Sequence, residues 1–326
     1  MTTKIALLDD YQGVAMSSAD WSSIPDSQVV SFHDRIQGPD ALAKVLADFE
    51  VVVAMRERTP FPASIFGALP HLRLLVTTGS RNASIDVAAA NAAGVTVCAT
   101  EGSTERSWAA AELAWGLVLA LARSIPQEDA GLRRGEWQKT VGMGLAGRTL
   151  GVIGLGHLGG KVAEFGRAFG MRVLAWSPNL SPDAATHRGA MFVSKDELLR
   201  EADVVTIHLV LGPRSERLIG ERELRLMRPT AYLVNTSRGP IVDEAALLRA
   251  LHEGWIAGVA LDVYAQEPLP LDSPLRRAPR TVLTPHLGYV TDESYRSFFG
   301  GAVRVIQAFL ADRPIQVLLP HGGQKT

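Results

Sequence analysis

The sequence predicts an α/β protein built from two doubly wound parallel sheets. Short apolar runs alternate with stretches of helical spacing along the chain, an alternation typical of parallel sheets covered by helices. The runs fall into two series, and a glycine-rich turn opens the second. A length of 326 residues favours two domains, and a hydrophobic content of 47% is enough to bury sizeable cores.

Both strand series can be placed from their apolar runs. The predicted strands of the first series are Ile5–Leu8, Val29–Phe32, Val51–Ala54, Leu74–Thr77 and Val95–Cys98. Those of the second are Thr149–Ile153, Arg172–Ala175, Val204–Ile207, Ala231–Asn235, Gly258–Asp262 and Thr281–Leu283. Stretches such as PDALAKVLADF have helical spacing, and a last helix in ESYRSFFGGAVRVIQAFLADRP could return to pack on the first series.

Composition and charge argue against several classes of protein. The net charge is −1 and no Lys/Arg run suggests nucleic acid as a partner. The N-terminus has too few apolar residues for a signal peptide. The apolar stretch SWAAAELAWGLVLALA contains Glu112 and falls short of the roughly 20 residues that span a bilayer, so we interpret it as a buried or subunit-packing helix. Cys98 is the only cysteine, which excludes an internal disulfide and a cysteine cluster for zinc. We expect a cytoplasmic enzyme without a metal or a membrane partner.

The glycine-rich turn predicts a dinucleotide site. In TLGVIGLGHLGGKVAEFGRAFG, the pattern Gly154-Leu-Gly156-His-Leu-Gly159 follows an apolar strand and opens a helical pattern. Gly154 permits a tight turn, Gly156 lets a pyrophosphate approach the backbone, and Gly159 allows the helix to pack closely on the strand. The helix N-terminus then offers N–H groups to the phosphates. The alternative is a tight strand-to-helix turn without a ligand.

The end of the next strand, in MRVLAWSPN, bears on the choice of dinucleotide. Ser177 stands where an acid would hydrogen-bond the adenosine ribose 2′-hydroxyl of NAD. A carboxylate there would also repel the 2′-phosphate of NADP, whereas a serine hydroxyl can bond either group. Pro178 and Asn179 follow, and Arg188 could fold back from further along the chain. NADP tolerance is therefore a hypothesis, and the choice stays open.

Three polar side chains each follow a predicted strand of the second series. Arg238 lies in YLVNTSRGP, Glu267 in LDVYAQEPLP and His286 in LTPHLGYV. The carboxyl ends of parallel strands meet at one edge of a sheet, where ligands bind. A histidine can donate a proton to a carbonyl, a carboxylate can orient its ring, and an arginine can bind a substrate carboxylate. Each alone could be an ordinary turn residue, but together they favour a catalytic set.

Longer motifs spread over nearly the whole chain carry a family resemblance. They are LGVIGLGHLGGKVA, VVTIHLVL, LVNTSRGPIVDEAALLRAL, GVALDVYAQEPLP and VLTPHLGY. With these motifs the chain resembles the D-isomer-specific 2-hydroxyacid dehydrogenases. The resemblance implies a Rossmann nucleotide-binding domain, residues 101–292, inserted in a flavodoxin-like substrate domain, residues 1–100 and 293–326. It also implies a homodimer that interconverts a 2-oxo acid and a D-2-hydroxy acid by hydride transfer.

The resemblance assigns expected roles to single residues. Arg238 would hold the substrate carboxylate, His286 would be the acid/base, and Glu267 would support it. The residues expected to bind NAD or NADP are Gly154, Gly156, His157, Leu158, Gly159, Ser177, Pro178, His208, Val210, Ser215, Thr236, Ser237, Asp262 and Gly288. Among these, Asp262 matches the aspartate that holds the nicotinamide carboxamide. Those expected to face the substrate are Arg56, Ser80 and Arg81.

Three positions depart from the family pattern. Ser177 replaces a frequent acid, and Val210 stands where a proline is common. The loop GSRN replaces a small glycine-bearing loop, so Arg81 is either a solvated arginine or a group that favours a substrate with extra negative charge. The chain ends at residue 326, which we expect to leave no room for the regulatory domain of some long phosphoglycerate dehydrogenases.

Two other functions within the family stay open. Some relatives use the dinucleotide as a conformational ligand and act as transcriptional corepressors, although the set of Arg238, Glu267 and His286 argues against a purely non-catalytic role. Formate dehydrogenases carry a glutamine in place of the catalytic glutamate, so Glu267 counts against that activity. The sequence does not distinguish between glyoxylate, hydroxypyruvate, pyruvate and bulkier oxo acids as the substrate.

Overall fold

The computed structural model describes residues 2–101 and 108–320, which form two compact units. One unit comprises Met1–Ser107 and Thr291–Thr326, and the other comprises Trp108–Val290. Each unit contains its own parallel sheet. The predicted fold class, two parallel-sheet α/β units, is confirmed.

The first unit contains a five-stranded sheet. Its strands are β1 (Thr3–Leu7), β2 (Ser27–Ser31), β3 (Val51–Ala54), β4 (Leu74–Thr77) and β5 (Thr96–Ala99). They are parallel and have the order β2-β1-β3-β4-β5, so the direction of winding reverses between β1 and β3. This is the flavodoxin-like order. Every residue of β3 and β4 is buried, as is usual for parallel strands covered on both faces.

The second unit contains a seven-stranded sheet. Its strands are β6 (Thr149–Ile153), β7 (Arg172–Trp176), β8 (Met191–Phe192), β9 (Val204–Ile207), β10 (Tyr232–Asn235), β11 (Gly258–Leu261) and β12 (Thr281–Leu283). The order is β12-β11-β10-β9-β6-β7-β8, with all pairs parallel. Winding reverses between β6 and β9, and in such sheets ligands bind at the carboxyl ends of the strands beside the reversal.

Helices connect the strands in both units. They are α1 (Pro39–Leu46), α2 (Ala63–Phe66), α3 (Val87–Ala92), α4 (Ala109–Ala122), α5 (Ile125–Arg133), α6 (His157–Ala168), α7 (Pro182–His187), α8 (Lys195–Glu201), α9 (Glu221–Leu226), α10 (Glu244–Glu253) and α11 (Asp292–Leu310). Short 3₁₀ turns lie at Trp21–Ser23, Gly239–Ile241 and Pro274–Arg277.

Helix α4 corresponds to the apolar stretch that the sequence marked as a buried or subunit-packing helix. It packs on α6 and on β10 to β12, and it buries Trp115, Leu117, Val118 and Leu121. Ser107, the first residue of the predicted stretch, lies outside the described residues. Among the described helices, none alone has the length and apolar content to cross a membrane. Helices α4 and α5 reach that length and apolar content only together, and they are bent by 62° relative to one another.

Helix α11 packs on β4 and β5 of the first sheet. Its Phe299 makes edge contacts with Trp21 and with Tyr295. Cys98 lies in β5 with no exposed surface, and burial raises the pKa of its thiol to about 12. Helix α11 thus belongs to the same unit as the five-stranded sheet.

Candidate active site

The turn after β6 is built so closely that it requires glycine. Gly154 has a φ of +100°, and its N–H donates to the Trp176 carbonyl at 2.8 Å. A Cβ at Gly154 would lie 2.5 Å from the His208 carbonyl oxygen. The ends of β6 and β9 therefore approach one another here, at the point where the order of the strands reverses.

The start of α6 combines close packing with open space. A Cβ on Gly159 would lie 2.0 Å from the Gly154 carbonyl oxygen, so the helix rests directly on the turn. A Cβ on Gly156, the N-cap, would meet nothing within 4 Å, and no side chain caps the helix there. The first N–H groups of a helix have no intrahelical partners. Open space in front of such groups fits the pyrophosphate of a dinucleotide.

Three side chains surround this turn. Ser177 Oγ accepts the Leu155 N–H at 3.1 Å, which joins the end of β7 to the glycine turn. The ring of His157 stacks on Trp108 with centroids 4.5 Å apart. His157 therefore contributes to the glycine turn through its backbone, and its ring packs on the tryptophan. His208 Nε2 lies 2.8 Å from Thr206 Oγ1, and desolvation lowers the pKa of His208 to about 4. The His208 ring is therefore neutral at physiological pH.

The loops after β9 and β10 are held by their own polar side chains. Ser215 Oγ donates to the Val210 carbonyl at 2.7 Å and accepts the Gly212 N–H at 2.9 Å, while Val210 itself is 89% exposed. Ser237 Oγ donates to the Ile207 carbonyl at 2.9 Å. These bonds fix the backbone beside the strand reversal.

His286 and Glu267 form a direct pair at the carboxyl ends of β12 and β11. His286 Nδ1 lies 2.5 Å from Glu267 Oε2, and Glu267 Oε1 accepts the Tyr264 N–H at 2.9 Å. Burial alone would raise the pKa of Glu267, but the hydrogen bond and charge of His286, the Tyr264 N–H and the charge of Arg238 together lower it. Glu267 is thus an anion beside the imidazole.

Asp262 holds the turn that carries His286. It has no exposed surface, and it accepts the Leu287 N–H at 2.7 Å, the Gly288 N–H at 2.9 Å and the Thr284 hydroxyl at 2.6 Å. Burial raises the pKa of Asp262, and these hydrogen bonds oppose the increase. His286 has a φ of +54°, and its N–H donates to the Asp262 carbonyl at 2.9 Å. The buried carboxylate therefore maintains an unusual backbone conformation at His286.

Arg238 approaches this pair from the end of β10. Asn235 Nδ2 donates to its carbonyl at 2.9 Å, and Arg238 Nη1 donates to the Ser237 carbonyl at 2.8 Å. A Cβ on the following Gly239 would lie 2.1 Å from the Tyr264 carbonyl carbon, so the two strand-end loops are in contact. The structure thus brings Arg238, Glu267 and His286 to one edge of the sheet. Within residues 2–101 and 108–320, no group of His, Cys, Asp and Glu suits a metal ion.

The residues expected to face the substrate lie in the first unit, after β3 and β4. Arg56 has a φ of +51°. A Cβ on Gly79 would lie only 1.8 Å from Arg56 Nη1, so the arginine side chain packs directly against this glycine. Its N–H donates to Thr78 Oγ1 at 2.9 Å, and Nη1 donates to the Thr78 carbonyl at 3.4 Å. Ser80 and Arg81 follow and are exposed. These residues share one end of the five-stranded sheet.

Sequence reasoning missed several supporting residues. Tyr264 contributes a backbone N–H to Glu267, and Thr284 contributes a hydroxyl to Asp262. A backbone N–H is present in almost every residue, so the sequence could not single out Tyr264. Thr284 could have been found, because it is the polar residue that directly follows β12. Arg188, for which the sequence offered no fixed position, contacts the glycine turn through Leu155 and Gly156.

Comparisons with known proteins agree in pointing to one family. Residues 115–288 match the model of the NAD binding domain of D-isomer specific 2-hydroxyacid dehydrogenases. The chain is 42% identical to a glyoxylate reductase of Aeropyrum pernix over 89% of this chain and 84% of that protein. It is 37% identical to a D-3-phosphoglycerate dehydrogenase of Methanocaldococcus jannaschii over 79% of this chain and 49% of that protein. The crystal structure of a phosphoglycerate oxidoreductase from Vibrio cholerae superimposes with a TM-score of 0.90 at 35% identity, covering 95% of this chain and 100% of that one.

Proposed function

The chain belongs to the D-isomer-specific 2-hydroxyacid dehydrogenase family, and from that membership we propose a specific reaction and specific roles for its residues. The reaction is the reversible reduction of a small 2-oxo acid to the D-2-hydroxy acid. The observation that carries the proposal is the pair of His286 and Glu267, with a nitrogen-to-oxygen distance of 2.5 Å. Such a pair, at the same edge of the sheet as a glycine turn suited to a dinucleotide, is equipped for proton transfer coupled to hydride transfer.

His286 is the proton donor in the direction of reduction. A bound nicotinamide dinucleotide supplies the hydride to the carbonyl carbon. Because Nδ1 of His286 is engaged by Glu267, Nε2 is the atom that gives its proton to the carbonyl oxygen. The Glu267 carboxylate stabilises the imidazolium before transfer and fixes the ring orientation. Arg238 binds the substrate carboxylate through its guanidinium.

The dinucleotide is held by the strand ends around the reversal between β6 and β9. The glycine turn and the N-terminus of α6 would bind the pyrophosphate, and Ser177 with Pro178 would hold the adenosine ribose. His208, Val210, Ser215, Thr236 and Ser237 would line the cofactor, and Asp262 with Gly288 would lie on the nicotinamide side. The family model supports NAD(H). Since Ser177 carries no charge, we propose that NADP(H) is accepted as well.

The substrate is proposed to be a short 2-oxo acid such as glyoxylate, which is the substrate named for several relatives. We also propose that Arg56, Ser80 and Arg81, which follow β3 and β4, contribute to substrate binding. We further propose that the protein is cytoplasmic.

A homodimer is proposed for the assembly. Four apolar side chains of the segment 125–141 are largely exposed, namely Ile125, Leu132, Trp137 and Val141. Exposed apolar side chains concentrated in one segment favour a protein interface there. The molar mass in solution, measured by analytical ultracentrifugation, tests this proposal.

The primary experiment follows oxidation of NADH and NADPH at 340 nm. Glyoxylate, hydroxypyruvate, pyruvate, phenylpyruvate and 2-oxoglutarate form the panel of substrates. We expect His286→Ala to lower kcat by about a hundredfold or more while dinucleotide binding, followed by fluorescence, is retained. The control is His71→Ala, because His71 is exposed in the other unit.

Two outcomes would contradict the proposal. Equal loss of turnover and dinucleotide binding in a folded His286→Ala protein would remove the assigned role. Dinucleotide binding by the unaltered protein without turnover on any oxo acid would favour a binding module instead.

A further inference from the structure

Arg188 lies against the glycine turn. It follows α7, and its Nη1 donates to the Leu155 carbonyl at 3.0 Å and to the Gly156 carbonyl. Arg167 on α6 holds the backbone at Arg188, after α7, because its Nη1 donates to the Arg188 carbonyl at 2.6 Å. Both contacts of the Arg188 side chain use Nη1, and the side chain is exposed. The N–H groups of Nε and Nη2 can therefore reach a ligand.

Ser177 and Arg188 both hydrogen-bond the backbone of Leu155, one at its N–H and the other at its carbonyl. Ser177 Oγ accepts the Leu155 N–H, and Arg188 Nη1 donates to the Leu155 carbonyl. Backbone dimensions place the two side-chain ends within roughly 10 Å of one another. Because Ser177 Oγ is the acceptor in its bond, its hydroxyl hydrogen is available to a ligand. The residue at this strand end is the one that faces the adenosine ribose 2′ position.

The surroundings of Arg188 are positively charged. Together with Lys161, Arg167 and His187 it lines a cavity of about 510 Å³. Among the described residues of that lining, Glu164 is the only acid, and it is paired with Lys161 at 3.0 Å. On the loop after β7, Asn179 Oδ1 accepts a hydrogen bond from Arg214 at 3.4 Å, which brings a further guanidinium to the strand end. A phosphate beside Arg188 would therefore meet the cations Lys161 and Arg167 of this lining, whose one acid is already paired.

We propose that Arg188 and Ser177 bind the 2′-phosphate of NADPH, so that the enzyme prefers NADPH to NADH. This rests on the proposed function, since it presumes that the glycine turn binds a dinucleotide. The Arg188 guanidinium donates to the phosphate through Nε and Nη2, and the Ser177 hydroxyl adds a third hydrogen bond. The contact of Nη1 with the glycine turn positions the guanidinium in advance, so less side-chain freedom is lost on binding.

The test is equilibrium binding of NADPH and NADH, without an oxo acid, followed by protein fluorescence. We expect Arg188→Ala to weaken NADPH binding by about tenfold or more and to leave NADH binding unchanged. Arg188→Lys keeps the positive charge without the planar guanidinium, so its NADPH affinity should lie between those of the unaltered protein and of Arg188→Ala. Arg200→Ala is the matched control, because Arg200 is an exposed arginine on α8 that pairs with Asp196. Ser177→Asp should reverse the preference by repelling the phosphate.

The outcomes separate this inference from the proposed function. Equal weakening of both dinucleotides by Arg188→Ala would show that Arg188 only supports the glycine turn, and it would overturn the inference. An unchanged NADPH affinity would overturn it too. Failure of the unaltered protein to bind either dinucleotide would refute the cofactor site and the inference together. A 2′-phosphate preference without turnover would support the inference and refute only the proposed reaction.

Discussion

At the scale of single residues, Glu267 determines the electrostatics of the candidate site. It is the anion that contacts the His286 ring at 2.5 Å, and it is anchored by the Tyr264 N–H. Burial would by itself raise the pKa of Glu267, but its partners lower the pKa below the ordinary value of glutamate. The carboxylate is therefore ionised throughout the physiological range, and it keeps its charge to lower pH than an ordinary glutamate does.

Glu267→Gln should leave the geometry nearly intact and remove the charge. We expect kcat to fall by about tenfold or more, because the imidazolium is no longer stabilised. Reduction needs the protonated ring, so the alkaline limb of the kcat/KM profile should move to lower pH. The pH profile of kcat/KM measures the effect, with the exposed Glu293→Gln as control. An unchanged profile would show that Glu267 does not stabilise the protonated His286 ring.

Residue type and position along the chain predicted that Arg238, Glu267 and His286 lie at one edge of the sheet, because parallel strands bring their carboxyl ends there. Their catalytic roles stay a prediction. The supporting contacts could not be predicted in the same way. The bond from the Tyr264 N–H to Glu267 depends on the path of the backbone. The contact of Arg188 with Leu155 depends on how far a long side chain folds back from the end of α7.

At the scale of elements, the junction of β6 and α6 is the tightest feature of the site. A Cβ on Gly159 would lie 2.0 Å from the Gly154 carbonyl oxygen, which is a backbone atom and cannot move alone. Even a methyl group would therefore push α6 away from β6. The N–H groups at the start of α6 would then be displaced from the phosphate position.

Gly159→Ala tests this junction. We expect a loss of about 1–3 kcal/mol in the free energy of unfolding and a strong loss of dinucleotide binding. The same substitution at Gly116, an exposed glycine of α4 with nothing within 4 Å of its Cβ position, is the control. Gly116→Ala should stabilise the protein by about 0.5–1 kcal/mol. Denaturant titrations and fluorescence binding measure both, and dinucleotide binding that survives Gly159→Ala would refute the role of close packing.

Strands were predictable where they are long and buried. The predicted Val51–Ala54, Leu74–Thr77 and Thr149–Ile153 coincide with β3, β4 and β6, because these strands are apolar on both faces. The strand Met191–Phe192 was missed because two exposed residues have no detectable period. β1 begins two residues before its predicted start at Ile5, since Thr3 and Lys4 pair with β2 despite their polarity.

At the scale of the whole molecule, early and late segments of the chain pack together in the first unit. Phe299 on α11 contacts Trp21 with ring centroids 6.1 Å apart, although the two lie far apart in sequence. The helical spacing of the last segment predicted a helix, but its partners could not be deduced from spacing alone. Contacts between distant segments depend on the fold of everything in between.

Phe299→Ala should destabilise the first unit. We expect a loss of about 3–5 kcal/mol, because Phe299 is nearly fully buried and its removal leaves a cavity. Phe299→Leu, which keeps most of the volume, should cost less than half as much. Chemical denaturation followed by circular dichroism measures the difference. Since the glycine turn lies in the other unit, NADPH affinity in the folded state should be retained, and its loss would contradict this division of roles.

The inaccessibility of Cys98 has a practical consequence. A protonated thiol without exposed surface does not react with maleimides or alkylating reagents, and the sequence contains no other cysteine. The folded, unaltered protein is therefore expected not to react with thiol-directed labels. A cysteine introduced at Trp137, which is 73% exposed, would be the single attachment point for a fluorophore or spin label. Such a label would report on subunit association without any need to remove a native residue from the core.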